Sequence, residues 1–206
     1  MNTQKRKLIF ISHSAKDDQE IASCFCDFFL NAYQGNVEIF ASSNINCGSE
    51  WLKTLKEKLD SADVIVAILT EHGRKNDWVT FEVGYVAGHG GLPIPLLFDG
   101  KIEDVQKSIR LLYQVKDIDK PNDLENAIAA IGKAVDEHCK VNINELKASL
   151  SKIKVENSVA DVSHSPAETQ TTFEKHHTIP WYFKGFKNTT PTNKRSANIL
   201  KKKSGK

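Results

Sequence analysis

Residues 63–69 read DVIVAIL, six consecutive apolar residues behind one aspartate. A short run of this kind, rich in valine and isoleucine, is typical of a strand that is buried on both faces of a parallel sheet. Further runs lie at 8–11 (LIFI), 37–40 (VEIF) and 93–98 (PIPLLF), with a less regular one at 111–115 (LLYQV). Helical patterns separate these runs. The sequence therefore predicts an α/β fold built on a five-stranded, doubly wound parallel sheet.

The segments between the predicted strands carry apolar residues at three- and four-residue spacing, which indicates helices with one buried face. We expect the first helix to begin at Ser14, and Ser49 and Asp77 to cap the second and third. Two more helices are predicted at 102–109 and 122–139. A helix thus follows or precedes every predicted strand.

We divide the chain of 206 residues into three parts, since this length is short for two full domains. Residues 1–140 contain the predicted strands and are expected to form one domain. Residues 141–156 are predicted to form an amphipathic helix. Residues 157–206 form a polar, basic extension, interrupted by the aromatic cluster IPWYFKGF at 179–186. We expect this cluster to dock on the core, on a partner subunit or on a second protein.

Positive charge is concentrated at the end of the chain. Residues 184–206 hold eight of the 28 lysines and arginines and no acid, which leaves 20 bases against 26 acids, about −6, in residues 1–183. Clustered bases can bind nucleic acid or an anionic membrane surface. Such a run is more often a solvated tail, and we adopt that interpretation for residues 187–206.

Cysteine usage and hydropathy favour a cytoplasmic protein. The four cysteines form no CxxC pair and are interpreted as reduced thiols. The longest apolar run, at 64–69, is too short to span a bilayer, and the N-terminal segment lacks the apolar core of a signal peptide. His176 and His177 have no recognisable zinc-ligand spacing, so no metal site is expected.

Chemistry is expected in the loops that follow the strands, because ligands of open parallel sheets bind beyond the carboxyl ends, where strand order reverses. The third of these loops leads into FEVGYVAG (81–88), in which Glu82 is the one charged residue. In a helix, Glu82 shares a face with Trp78 and Tyr85. A carboxylate among aromatic residues either lies at a surface or works in a pocket.

Four ordered motifs carry a resemblance to a known family: FISHSAKDD (10–18), NINCGSEW (44–51), ADVIVAILT (62–70) and WVTFEVGYVAG (78–88). Over roughly residues 6–138 the chain resembles the Toll/interleukin-1 receptor (TIR) domain family in its bacterial, standalone form. The resemblance implies a flavodoxin-like fold, with the C-terminal extension outside it.

The resemblance also implies an activity. Many TIR domains cleave the bond between nicotinamide and ribose in NAD+, which is a substrate and not a cofactor, and they use no metal. The family's catalytic glutamate lies in a Trp-x-x-x-Glu pattern, matched here by Trp78 and Glu82. Trp78 would line the nicotinamide side. His13, Ser14, Asn46 and Trp51 would contact the rest of the dinucleotide.

A lone carboxylate suits this chemistry, because it can stabilise the positive charge that develops on ribose as nicotinamide leaves. The implied role is defence against phage, by NAD+ depletion or by a cyclic ADP-ribose signal. The trigger would be a partner effector or sensor protein, a small ligand or self-association.

The alternative is a non-catalytic module that acts through TIR–TIR association. Glu82 would then be a solvated helix residue and Trp78 a packing residue, while a third hypothesis assigns the function to the basic tail.

Overall fold

The computed structural model describes residues 6–14, 18–42, 51–120, 122–139 and 141–163. The predictions about Asn46, Ser49, the aromatic cluster and the basic tail fall outside these residues. The boundaries proposed for the three parts of the chain therefore remain predictions.

The described residues form five parallel strands in one sheet with the order β2-β1-β3-β4-β5. This confirms the predicted α/β fold with a five-stranded parallel sheet. Because the chain leaves β1 toward β2 and then returns to the other side, strand order reverses between β1 and β3. The strands are β1 (Leu8–Ser12), β2 (Glu38–Ala41), β3 (Val64–Leu69), β4 (Leu92–Leu97) and β5 (Lys116–Asp117).

The helices lie on the two faces of the sheet and close two apolar clusters over it. One cluster joins Ile9, Ile11 and the β3 and β4 residues on the same face of the sheet to α1, α5 and α6. The other joins Leu8 and Phe10, on the opposite face, to α2, α3 and α4. In the described part of the chain, none of the helices has the length and apolar content that a membrane crossing requires. The helices are α1 (Gln19–Tyr33), α2 (Trp51–Ser61), α3 (Asp77–Gly88), α4 (Lys107–Leu112), α5 (Asp123–Ala134) and α6 (Ile143–Ser163).

The fifth strand is not where the apolar run predicted it. In the run 111–115, Leu111 and Leu112 end α4 and are 69% and 72% exposed, and β5 has only two residues, at 116–117. The prediction at 111–115 was wrong because both leucines lie on the solvent side of the last helical turn, while Ile109 supplies the buried contact. An apolar run therefore did not mark a buried strand here.

Two helix starts also differ from the prediction. α1 begins at Gln19 and not at Ser14, whose backbone amide and hydroxyl instead donate hydrogen bonds to the Asp18 carboxylate. α3 is capped by Asn76, whose side-chain oxygen accepts from the amides of Trp78 and Val79, so Asp77 is the first helical residue and not the cap. The cap lies one residue earlier than expected.

The two later helices are shorter than predicted. The segment at 102–109 divides into a 3₁₀ turn, Ile102–Asp104, followed by α4. The helix predicted over 122–139 ends at Ala134, and Asp136 adopts a left-handed conformation with φ 56°. An Asp in this conformation cannot continue a right-handed helix.

α6 covers α1 with an apolar stripe. Leu146, Leu150 and Ile153 are buried in the cluster that contains the phenylalanines of α1. Polar contacts frame the stripe: Lys147 pairs with Glu125 of α5, and the Lys154 Nζ lies 2.7 Å from the Asp119 carboxylate. The helix is therefore part of the core layer on this face of the sheet.

Replacing Leu150 with alanine is expected to lower the free energy of unfolding by about 2 to 5 kcal/mol, because the side chain is 2% exposed and its loss leaves a cavity. The matched control is Leu111→Ala, the same deletion at a site that is 69% exposed, which should change stability by less than about 0.5 kcal/mol. Chemical denaturation of both variants measures the difference. Equal effects would show that α6 does not contribute to the core.

Candidate active site

Glu82 is completely buried on the face of α3 that packs against the sheet. Its exposed fraction is 0%, and its neighbours on this face of the helix are Val79, Val83 and Val86. The alternative of a solvated helix residue is therefore wrong. A buried carboxyl group needs hydrogen-bond partners or a changed protonation state, so its surroundings determine what it can do.

Ser12, the last residue of β1, supplies one of those partners. Its hydroxyl donates a hydrogen bond to Oε2 of Glu82 at 2.5 Å, across a sequence separation of 70 residues. The other oxygen, Oε1, is buried and has no hydrogen-bond partner in the described part of the chain. Ser12 thus holds Oε2, and the Trp78 indole also acts on the carboxyl group, but none of the described residues makes a hydrogen bond to Oε1.

Burial raises the pKa of Glu82 from its ordinary value of 4.5 to about 8. Desolvation penalises the charged form, and side-chain hydrogen bonds from Ser12 and Trp78 act in the opposite direction but do not cancel it. Near pH 7 the carboxyl group is therefore mostly protonated in this structure. A cation placed beside it would favour the ionised form.

Aromatic side chains pack against one another along the first turns of α3. The Trp78 ring stacks on Trp51, the first residue of α2, with centroids 5.7 Å apart, and also contacts Phe81 at 5.3 Å. Tyr85 continues this row of rings, and its hydroxyl donates to Asp60 of α2 at 2.5 Å. Unlike Glu82, Tyr85 is only partly buried. Of the predicted site residues, Glu82, Trp78 and Trp51 are brought together.

His13 and Ser14 belong to a neighbouring network. The backbone and hydroxyl of Ser14 both donate to Oδ2 of Asp18, at 3.2 and 2.8 Å, and the hydroxyl of Thr70 donates to the same oxygen at 2.8 Å. His13 is buried, with Nδ1 at 3.3 Å from the Ser14 carbonyl oxygen, and its Nε2 has no partner among the described residues. The hydroxyl of Ser14 is therefore engaged within the protein, in a link between the ends of β1 and β3.

A partly buried ion pair joins the adjoining loops. Arg74, after β3, directs Nη1 to the carboxylate of Asp99 at 2.6 Å and to its carbonyl oxygen at 3.0 Å. Gly100 has φ +79°, and a Cβ at this position would lie 2.3 Å from Nη1 of Arg74. Burial raises the pKa of Asp99, and the guanidinium of Arg74 opposes this rise. The loops that follow β3 and β4 are thus held together at the same edge of the sheet as Glu82.

Sequence reasoning did not identify Ser12, Asp18 and Thr70 as residues that make the polar contacts at the carboxyl ends of β1 and β3. Ser12 and Thr70 are the first polar residues after two apolar runs, and that position at the carboxyl end of a buried strand is the signal that could have identified them. Asp18 carries no such signal, because its role depends on two hydroxyl groups from separate segments.

Comparison with known proteins identifies the family. The family model described as TIR domain matches residues 9–132, more than half of the chain. Among solved structures, the 2-desoxiribosyltransferase from Leishmania mexicana is similar at 20% identity, covering 46% of this chain and 67% of that chain, with a TM-score of 0.39. This likeness is too weak to support an argument. No curated protein matches this chain.

Replacing Glu82 with glutamine is expected to stabilise the protein at alkaline pH. The wild-type carboxyl has a pKa of about 8 when folded and an ordinary value of 4.5 when unfolded, so its stabilising contribution is complete below pH 4.5 and is lost as pH rises to about 8. Glutamine has no charge to bury. Between pH 4 and pH 9, the stability of Glu82→Gln relative to wild type should therefore rise by as much as about 5 kcal/mol.

Denaturant unfolding of both proteins at a series of pH values measures this difference, because other titrating groups contribute equally to the two proteins. A constant difference across the range would show that Glu82 titrates near its ordinary pKa and is accessible to water.

Proposed function

The chain belongs to the TIR domain family, and from that premise we propose that it cleaves the nicotinamide–ribose bond of NAD+, as a glycohydrolase or an ADP-ribosyl cyclase. One observation carries the proposal. Glu82, the glutamate of the Trp-x-x-x-Glu pattern, is wholly buried beside Trp78 with one carboxyl oxygen free of hydrogen bonds in the described residues. A structural carboxylate is normally satisfied at both oxygens.

In the proposed reaction, the bond between C1′ of ribose and the nicotinamide nitrogen breaks. The electron pair goes to the nitrogen, which loses its positive charge, and the ribose becomes an oxocarbenium-like cation. Ionised Glu82 stabilises this cation electrostatically. Attack by water then yields ADP-ribose and a proton, whereas attack by a nitrogen of the adenine yields a cyclic product.

The burial of Glu82 supports this role in two ways. An interaction between a carboxylate and a developing cation is much stronger where water is excluded than at a surface. The nicotinamide ring of NAD+ is itself cationic, so its arrival would lower the pKa of Glu82 and favour loss of the proton. Trp78, stacked against Trp51, offers a flat face of the kind on which an aromatic heterocycle packs.

For the cellular role we propose defence against phage in the cytoplasm of a bacterium, through NAD+ depletion or a cyclic ADP-ribose signal. Self-association of the TIR domain, a partner effector or sensor protein, or a small ligand would supply the trigger. The competing function is a scaffold that acts through TIR–TIR association alone. Because assembly does not require an ionisable group at residue 82, one substitution separates the two functions.

Glu82→Gln is expected to reduce nicotinamide release from NAD+ by at least about 100-fold, since preorganised electrostatic groups of this type contribute about 3 to 4 kcal/mol to the barrier. The measurement is chromatography of nicotinamide and the nucleotide product at high protein concentration. Glu57→Gln is the matched control, because Glu57 lies on the exposed side of α2 with 65% of its side chain accessible.

Activity that is lost in Glu82→Gln and kept in Glu57→Gln would support the enzyme. Equal activity of both variants would overturn the assignment of Glu82. A wild-type protein that assembles but releases no nicotinamide in either its isolated or its assembled form would favour the scaffold.

The value of kcat/KM is expected to rise with pH to a plateau, with a midpoint near pH 8. This parameter reports the free enzyme, in which the reactive form of Glu82 is the ionised one. Initial rates at low NAD+ concentration between pH 6 and pH 10 measure it. A profile that is flat above pH 6 would contradict a protonated Glu82 at neutral pH.

A further inference from the structure

Ser12 occupies a position where the sheet otherwise carries large apolar side chains. Along β1, residues two apart face the same side, and Leu8 and Phe10 pack in the cluster with Val79 and Val83 of α3. Ser12 is the next member of this row and is 0% exposed. A hydroxyl at such a site is costly to bury unless it is hydrogen bonded. Its position therefore calls for a polar partner on α3.

That partner is Glu82. A serine hydroxyl has one proton to donate, and in this structure it is donated to Oε2 of Glu82 at 2.5 Å. The backbone of Ser12 is fixed by its place in β1, where it pairs with Ala67 of β3 in the middle of the sheet. The donor hydroxyl is thus held by a hydrogen-bonded strand inside the sheet, and its hydrogen bond limits the movement of the Glu82 carboxyl group.

We infer that Ser12 is a positioning residue for the proposed reaction: it holds Oε2 of Glu82 so that Oε1 is the oxygen presented to the ribose, and it stabilises the ionised carboxylate. This inference rests on the proposed function. Its geometric basis is the unequal treatment of the two oxygens, one bonded to Ser12 and the other without a partner in the described residues.

The same hydrogen bond affects ionisation. A hydroxyl bonds a carboxylate more strongly than a neutral carboxyl group, so Ser12 favours the charged form against the desolvation that opposes it. The other titratable residues at this edge of the sheet include His13, Asp18, Arg74 and Asp99. Neither these nor any other charged side chain of the described residues contributes to the raised pKa of Glu82, and the second hydrogen-bonding group is the neutral indole of Trp78.

The decisive variant is Ser12→Ala, which removes the donor and little volume. The midpoint of the pH profile of kcat/KM is expected to move upward by about one pH unit, since a hydrogen bond to a charged group is worth about that much. At pH 7 this corresponds to roughly a tenfold loss of kcat/KM, and the loss should largely disappear near pH 10. Ser12→Thr keeps the hydroxyl and should retain the wild-type midpoint. Ser151→Ala, on the exposed side of α6, is the matched control.

Two results would overturn the inference: a Ser12→Ala profile with an unchanged midpoint, or a loss of equal size at every pH, which is what a purely structural serine would produce. A direct titration separates this outcome from failure of the proposed function. Carbon-13 NMR of the Glu82 carboxyl group, assigned with Glu82→Gln, should give a higher pKa in Ser12→Ala than in wild type. If the wild-type protein releases no nicotinamide in either its isolated or its assembled form, the scaffold is favoured over the proposed enzyme, and the titration still decides whether Ser12 controls Glu82.

Discussion

The exclusion of water from β1 and β3, two of the inner strands of the sheet, is the constraint on which the rest of the molecule depends. β1 and β3 have neighbours on both edges and helices on both faces, so every side chain of β3 is buried. An uninterrupted apolar run is the composition that such a position requires. Polar side chains can enter only where the strands end, and Ser12 and Thr70 mark those ends. The polar edge of the sheet is thus confined to the place where strand order reverses.

Two buried carboxyl groups at this edge are treated differently by the fold. Asp18 receives three hydrogen bonds on one oxygen, from two groups of Ser14 and from Thr70, and thereby joins two loops. Glu82 accepts a hydrogen bond from Ser12 at Oε2 and interacts with the indole of Trp78, while Oε1 has no hydrogen-bond partner among the described residues. Three donors on one oxygen make the Asp18 carboxylate a cross-link between two segments, whereas an unsatisfied buried oxygen of Glu82 keeps a capacity to bind. This contrast is the physical reason for proposing chemistry at Glu82 and not at Asp18.

Stability and the proposed activity make opposite demands on Glu82. Ionisation of a group with no exposed surface destabilises the folded protein, which is why its pKa is raised to about 8. The same dry surroundings would strengthen its attraction for a cationic substrate. The fold tolerates this loss of stability because other contacts stabilise α3, namely the Asn76 cap at its start and the valines along its buried face. Sites of this kind are where proteins depart from their most stable sequence.

Local patterns predicted much of the fold and part of the site. The first four strands lie within a residue or two of their predicted positions, because burial on both faces imposes a composition that can be recognised without knowing the neighbours. Trp78 and Glu82 were placed together correctly, since a separation of four residues in a helix brings two side chains onto one face. The start of α3 was misplaced by one residue, as Asn76 and Asp77 are both competent caps and only the backbone conformation distinguishes them.

The sequence by itself determined the family, through its ordered motifs, and the parallel sheet, through its short apolar runs, and it placed Trp78 and Glu82 four residues apart. Only the tertiary structure decided that Glu82 is buried, that Ser12 holds one of its oxygens and that Ser14 is engaged with Asp18 and Thr70. Ser12 and Glu82 are 70 positions apart, and their contact requires β1 and α3 to pack in one register. No local pattern encodes that register; it follows from filling the whole core at once.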